Sequence, residues 1–314
     1  FKQVTFSIVR DAPNFSIQTT SVAVTDNTNC NNPNGVIEIT NVIVDGTVVD
    51  LSTTPDNYSF SWPDGFGGGT PGANNFPNDI ATDLPAGTYR IVASNTTTGC
   101  STDTIAVVVD DVPTQPALSF IVDNPNQNCG VTKNGQLTVT ATTADGNPVT
   151  NVGRYNFTWY DGKGTSTATT GVQTDGTGAS DNTSTLSALD SGYYTVEVFD
   201  NTNFCTVTGS FFVNQMLDNP QLLKADIVVR ADTTCTAGGS GTIIVADTSF
   251  QSGVLDDYNV EIRSGSVTGP ILTQSTAGFG NTDLTISTLD PGTYYITATR
   301  AATECETAPV QVNI

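Results

Sequence analysis

The chain has 314 residues, 37% of them hydrophobic, and a formal charge of −21 from 10 Lys+Arg against 31 Asp+Glu, with no histidine. A surface this acidic repels nucleic acid and anionic lipid, which argues against both as partners, and a chain without histidine has no Ser-His or Cys-His nucleophile. No run approaches the ~20 apolar residues of a membrane span and no basic, apolar leader opens the chain, so the expectation is a mature or excised soluble segment without membrane insertion.

The apolar residues are largely β-branched or aromatic and lie among Gly, Asn, Thr, Ser and Asp. No window carries them at helical spacing, so the expected fold is all-β. One stretch recurs three times: Leu84-Pro-Ala-Gly87-Thr-Tyr89, Leu189-Asp-Ser-Gly192-Tyr-Tyr194 and Leu289-Asp-Pro-Gly292-Thr-Tyr294. Each tyrosine stands 11 positions before a cysteine, Cys100, Cys205 or Cys305 (100 − 89, 205 − 194, 305 − 294). The chain is therefore read as an array of one repeated unit.

In chain order, residues 1–13 resemble the last strand of a unit rather than a beginning. Shifted by 100 positions, Val9, Asp11 and Pro13 fall on Val109, Asp111 and Pro113. The expected division is 1–13 as the last strand of a preceding repeat plus linker, then repeats at 14–113, 114–219 and 220–314. In each repeat a first cysteine (Cys30, Cys129, Cys235) precedes a half-buried strand opened by glycine: Gly35-Val-Ile37, Gly135-Gln-Leu137, Gly241-Thr-Ile243. An aromatic strand follows, Tyr58-Ser-Phe60-Ser-Trp62 and Tyr155-Asn-Phe157-Thr-Trp159, with Trp62 and Trp159 as expected core anchors. The third repeat has Tyr258-Asn-Val260-Glu-Ile262 there, so its core must be smaller or differently filled. Gly/Thr/Asn-rich loops then lead to the Leu-x-x-Gly-x-Tyr turn, a closing strand, the cysteine and a last strand. Pro/Asp-bearing connectors at 110–116 and 215–221 are too short to be floppy.

About seven short strands per ~100 residues, with a tyrosine at a corner, fit tandem immunoglobulin-like β-sandwich domains. Gly87/Tyr89, Gly192/Tyr194 and Gly292/Tyr294 resemble the tyrosine corner of that class, and a turn glycine accounts for all three. Six cysteines at regular spacing without histidine or a C-x-x-C pair point to disulfides in an oxidising compartment rather than zinc. The expected pairing is one bridge per repeat, Cys30–Cys100, Cys129–Cys205 and Cys235–Cys305, each stapling two loops at one pole. Such a bridge closes about 70 residues, worth ~4 kcal/mol in the chain-entropy model. Under tension it would leave only about 30 residues per repeat to be drawn out, ~100 Å at ~3.4 Å per residue.

The pattern Cys, Gly-x-Ile, Tyr-x-Phe-x-Trp, Leu-x-x-Gly-x-Tyr, Cys resembles the SprB-type repeats of Bacteroidetes gliding and adhesion proteins, and is similar to PKD-like bacterial immunoglobulin-like modules. It covers nearly the whole chain, with departures at Val260 and Ile262. The resemblance implies a long extracellular adhesin or gliding filament at the bacterial cell surface, exported by the type IX route. Neighbouring repeats, surface glycans or other cells are the implied partners. The rival expectations are a fibre subunit donating strand 1–9 to a neighbour, and an accessory stalk or carbohydrate-binding array of a secreted enzyme.

Candidate chemistry is sparse. Asp190-Ser-Gly192 matches a short aspartic-protease motif, but it occupies the slot of Pro85-Ala-Gly87 and Asp290-Pro-Gly292, so it reads as a turn and the chain as a non-enzyme. The Gly-rich run at 65–69 lacks the Gly-Lys-Ser/Thr ending of a phosphate cradle. No cofactor is expected, with Asp110, Asp111 and Asp218 as weak calcium candidates against the reading of a solvated acidic surface. Thr104 and Thr233 sit in Asp-Thr motifs resembling a Bacteroidetes O-glycosylation site. Phe66 and Phe76 are loop aromatics suited to stacking on sugars or to local packing.

Overall fold

The computed structural model of the chain describes residues 2–3, 5, 13–53, 57–65, 70–71, 79–147, 153–169, 172–175, 182–217, 219–235, 238–278 and 280–314, with 70–71 and 172–175 described by backbone alone. Most of the expected donor strand at 1–9, with Phe66, Phe76 and Asp218, lies outside these residues. The fold is all-β, a series of immunoglobulin-like sandwiches; among the described residues only single 3-10 turns interrupt the strands, and no helix is long and apolar enough to cross a membrane.

The first module contains β1 (Phe15–Ser16), β2 (Val22–Thr25), β3 (Gly35–Ile39), β4 (Asn41–Val44), β5 (Thr47–Asp50), β6 (Tyr58–Ser61), β7 (Thr70–Pro71), β8 (Ile80–Leu84), β9 (Gly87–Asn95) and β10 (Ile105–Val109). They form sheets β2-β3-β8-β7, β10-β9-β6 and β1-β4-β5. The second contains β11 (Ala117–Asn124), β12 (Gly135–Thr142), β13 (Tyr155–Asp161), β14 (Val172–Asp175), β15 (Thr183–Leu189), β16 (Gly192–Asp200) and β17 (Cys205–Val213), in sheets β11-β12-β15-β14 and β13-β16-β17. The third contains β18 (Val228–Arg230), β19 (Gly241–Ala246), β20 (Tyr258–Ser264), β21 (Ile271–Ser275), β22 (Asp283–Leu289), β23 (Thr293–Arg300) and β24 (Val310–Asn313), in sheets β18-β19-β22 and β21-β20-β23-β24. The loop strand thus changes sheets: β14 pairs with β15, whereas its counterpart β21 pairs with β20.

Each module has its own core, built from the alternate residues that a two-residue period turns inward. Leu137, Val139 and Ala141 of β12 are fully buried while their neighbours stay half-exposed. Trp159 is buried and donates its indole N–H to Ser184 Oγ at 3.0 Å, so its polar atom is satisfied inside the core. Trp62 is buried in the first core. The third core replaces the missing aromatics from the preceding segment. Phe250 stacks on Tyr258 at 4.3 Å between ring centroids, and Leu255 is fully buried beside them.

The glycine that opens β3, β12 and β19 has a steric cause. A Cβ on Gly35, Gly135 or Gly241 would lie 2.6, 2.6 or 2.8 Å from the carbonyl oxygen of Leu84, Leu189 or Leu289. At this crossing the ladder slips by one residue in all three modules, and the residue before the leucine adopts a left-handed φ: Asp83 at 56°, Ala188 at 59° and Thr288 at 60°. A bulge of this kind brings the two backbones too close for a side chain.

Candidate functional site

The corner strand sets the geometry of the poles. Gly35 pairs with Leu84, just before Gly87 begins β9, so the loop carrying Cys30 lies at the Gly87 end. Cys100 follows the other end of β9, which is nine residues long and spans roughly 30 Å. The Cα atoms of a disulfide lie within about 7 Å, so Cys30 and Cys100 belong to opposite poles of one sandwich and cannot be joined. The expected pairing of one bridge per repeat is overturned. Cys30 is bonded to Cys205 and Cys129 to Cys305, both with Cα atoms 4.9 Å apart, across sequence separations of 175 and 176. Cys100 and Cys235 are free thiols.

The first cysteine of one module is thus tied to the last cysteine of the next. Each cysteine is presented by a repeated local structure. The last cysteine ends a hairpin closed by an N–H to C=O bond over four residues: Gly99 to Asn95 at 2.9 Å, Phe204 to Asp200 at 2.8 Å, Glu304 to Arg300 at 2.8 Å. Gly99, Phe204 and Glu304 all take the left-handed φ this turn requires, at 69°, 58° and 55°. Asp200, almost fully buried, sits at the base of the second hairpin. Its carboxylate accepts from Arg154 Nη2 at 2.8 Å, from Arg154 Nε at 3.1 and 3.2 Å, and from the Thr202 N–H at 2.8 Å. Hydrogen bonding to Asp200 raises the Arg154 pKa further.

The first cysteine sits in a loop organised by the residue three positions earlier. Asn27 Oδ1 accepts from the N–H groups of Asn29 and Asn34, and its amide donates to Asp111 Oδ1 at 2.8 Å. Asn126 repeats this with Asn128 and Asn134, donating to Asp190 Oδ1 at 3.0 Å. In the third module the position is Asp232. Its Oδ1 accepts from the Thr234 N–H at 2.9 Å and the Ser240 N–H at 2.7 Å, and from both hydroxyls. These bonds, the Thr234 N–H first, lower the Asp232 pKa from 3.8 to about 2. Asp190 is also held below the ordinary carboxylate value, chiefly by the Ser191 N–H, with Lys133 and Asn126 contributing. The Asp-Ser-Gly sequence is therefore part of a joint, with its carboxylate committed to structural donors.

Two further sets of bonds complete each joint. The Cys30 N–H donates to the Asn203 carbonyl at 3.0 Å, and the Cys129 N–H to that of Thr303 at 2.9 Å. Asn31 Nδ2 donates to Phe204 O at 3.2 Å; in the second joint Glu304 takes this place, lying over Gly130 and accepting from Thr132 Oγ1 at 3.3 Å. The connectors are pinned by short parallel bridges, Asn27 with Asp111 and Asn126 with Gln215. Asn203 Nδ2 adds a bond to Thr114 O in the first connector at 2.7 Å.

The remaining candidates are scattered. Asp110 and Asp111 serve the first connector through the Asp110 carbonyl and the Asp111 carboxylate, and no group of three or more His, Cys, Asp or Glu among the described residues could hold a metal ion. Thr104 is exposed; Thr233 is exposed too, but its hydroxyl shares a hydrogen bond with Ser240 at 3.2 Å. Tyr89, Tyr194 and Tyr294 each donate to the carbonyl four residues back, Pro85, Asp190 and Asp290, at 2.7, 3.1 and 2.7 Å. The corner glycines differ from expectation. Gly87, Gly192 and Gly292 have no left-handed φ, and a Cβ on any of them would meet nothing closer than 3.8 Å, so the turn does not require glycine. An aromatic group on the second module was not foreseen: Tyr193 and Phe212 meet edge to face at 4.9 Å with Lys163 over the tyrosine ring. Tyr193 stands next to the buried Tyr194 and Phe212 next to the buried Val213, and those adjacent apolar pairs were the signal available for it.

No protein-family model and no curated protein matches the chain. Among solved structures it is similar to domains 4–9 of the surface layer protein SbsC, at 17% identity over 95% of this chain and 46% of that one, with a TM-score of 0.28. It is also similar to FdeC, an Escherichia coli adhesin, at 14% identity over 96% and 97% of the two chains, with a TM-score of 0.27. A third is the BSP domain of a biofilm-associated protein, at 11% identity over 96% and 68%, with a TM-score of 0.24. The chain spans less than half the length of the surface-layer structures it matches.

Proposed function

We propose that this chain is a segment of a non-enzymatic extracellular shaft, a tandem-repeat part of a bacterial surface adhesin or filament that supplies reach and resists tension. The observation that carries this reading is the disulfide across each joint. A bridge inside a module would leave the joint hanging on its connector alone. Here the connector and the Cys30–Cys205 bond both attach the first module to the second, and the next connector and Cys129–Cys305 do the same for the following pair. Two covalent attachments at one joint restrain bending and rotation as well as separation.

Each bridge closes a loop of about 175 residues, worth ~5 kcal/mol in the chain-entropy model. Oxidised bridges of this size also favour an oxidising, extracellular setting. The proposed divisions are 14–113, 114–219 and 220–314, supported by the three separate cores. The specific assignment to SprB-type gliding repeats and type IX export rests on the sequence resemblance alone.

Pulling single molecules by their ends tests the reading. In the oxidised chain the shortest covalent route from Cys30 to Cys305 crosses both bonds and only the segment between Cys129 and Cys205 (205 − 129 = 76). That limits the span to ~260 Å at ~3.4 Å per residue. In reductant the whole segment is released (305 − 30 = 275), and the span rises to ~930 Å. Equal contour lengths in the two states would refute a tension-bearing role for the bridges.

A further inference from the structure

The geometry points to Cys235 and Cys100 as the two halves of a third staple, completed when a further module of this repeat docks on either pole, as a second copy of this chain would, Cys235 bonding to the last cysteine of the module it meets and Cys100 to the first. This deepens the shaft reading and rests on it, but its evidence is the register of the joints. Both observed bridges join the first cysteine of a module to the last cysteine of the following module. Cys235 is a first cysteine and Cys100 a last one, and both are free.

The surroundings of both thiols match the bonded sites. The Cys100 hairpin has the same closing bond and left-handed penultimate residue as those of Cys205 and Cys305. The carbonyl two positions before the last cysteine, which accepts from the incoming Cys N–H at Asn203 and Thr303, belongs here to Thr98. Cys100 is half-exposed, whereas Cys205 and Cys305, each covered by a docked module, are buried. At the other end, Asp232 organises the Cys235 loop as Asn27 and Asn126 organise theirs, and Asp290 accepts from Gly238 where Asp190 accepts from Asn126. Cys235 is exposed, as are the bonded first cysteines Cys30 and Cys129.

The interface is heterologous, one pole against the other, so repetition extends it as an open filament rather than closing a dimer. The bond forms by exchange with a disulfide oxidant. The Cys235 thiolate attacks one sulfur of the oxidant and releases the other half as a thiolate. The Cys100 thiolate of the next copy then attacks the mixed disulfide and releases the second half. Two thiols of the protein lose two protons and two electrons, and the oxidant is reduced to two thiols. With this staple closed, a covalent route would cross Cys30–Cys205, run through the connector to Cys235 (235 − 205 = 30) and pass on to the next copy. One connector would then serve two modules.

The test uses the full chain with its two bridges intact and oxidised glutathione as the oxidant. The expected result on non-reducing electrophoresis is a ladder at multiples of 32.8 kDa. Peptide mapping should find the Cys100–Cys235 link about tenfold in excess of either symmetric link, a preference of ~1.4 kcal/mol. Mixing Cys100→Ser with Cys235→Ser should give a dimer and stop there, while each variant alone stays monomeric. Symmetric and mixed links in statistical proportion, or monomers merely glutathionylated at both cysteines, would overturn the proposal. Neither outcome touches the Cys30–Cys205 and Cys129–Cys305 peptides, so its failure is distinct from failure of the shaft reading.

Discussion

The N–H of Cys129 donates to the carbonyl of Thr303 at 2.9 Å, although the two residues belong to different sandwiches. The same bond joins Cys30 to Asn203 at 3.0 Å. The bridge is therefore one element of a docked interface in which backbone, connector and side chains agree on a register.

That interface depends on the hairpin that carries each last cysteine. For Cys205 the hairpin is anchored by Arg154 and the buried Asp200. Arg154→Met strips the cation from a carboxylate that cannot reach water and should cost about 2–4 kcal/mol. The double variant Arg154→Met/Asp200→Asn should recover part of the loss. Urea denaturation measures both; a single-variant loss below about 0.5 kcal/mol would mean that Asp200 is satisfied without Arg154.

Two glycines of the second module should respond in opposite ways. Gly135→Ala places a methyl group 2.6 Å from the Leu189 carbonyl, so the bulge must open, at about 1–3 kcal/mol. Gly192→Ala meets nothing within 4 Å at an ordinary φ and should be neutral, or stabilising by about 0.5 kcal/mol through the unfolded chain. Thermal unfolding of the two variants would show the contrast. Comparable losses in both would indicate that the corner does need its glycine.

Asp232 supplies a pH dependence. Its folded pKa is depressed from 3.8 to about 2 by its donors, the Thr234 N–H foremost. Its contribution is complete above the unfolded value and is lost as pH falls from about 3.8 through about 2. The hydrogen bonds that Asp232 holds to Thr234 and Ser240 should weaken over that window, before the analogous ones built on Asn27 and Asn126, which have no carboxylate at this position. A carboxyl titration followed by NMR should show a midpoint near 2; a midpoint near 3.8 would mean the Asp232 bonds do not persist in solution.

What could be read from the chain alone was local. Alternation in Gly135-Gln-Leu137 and the aromatic spacing of Tyr155 to Trp159 mark strands and core because both patterns act over a few residues. The positions of Tyr89, Tyr194 and Tyr294 mark corners for the same reason. The pairing of Cys30 is a relation between modules, and in a regular array intramodular and cross-joint partners recur with equal regularity. The deciding clue lay in the 11 positions from Tyr89 to Cys100. A strand that long carries the last cysteine away from the pole of Gly35, and so away from Cys30. The filling of the third core by Phe250 was hidden likewise, since Phe250 lies outside the aromatic motif whose loss it offsets.

The connectivity of the cysteines is the quantity on which the tension-bearing joint depends. Digestion of the thiol-blocked, unreduced chain followed by mass spectrometry should release two linked pairs, Cys30 with Cys205 and Cys129 with Cys305. Recovery of Cys30–Cys100, Cys129–Cys205 and Cys235–Cys305 peptides instead would contradict the cross-joint staple.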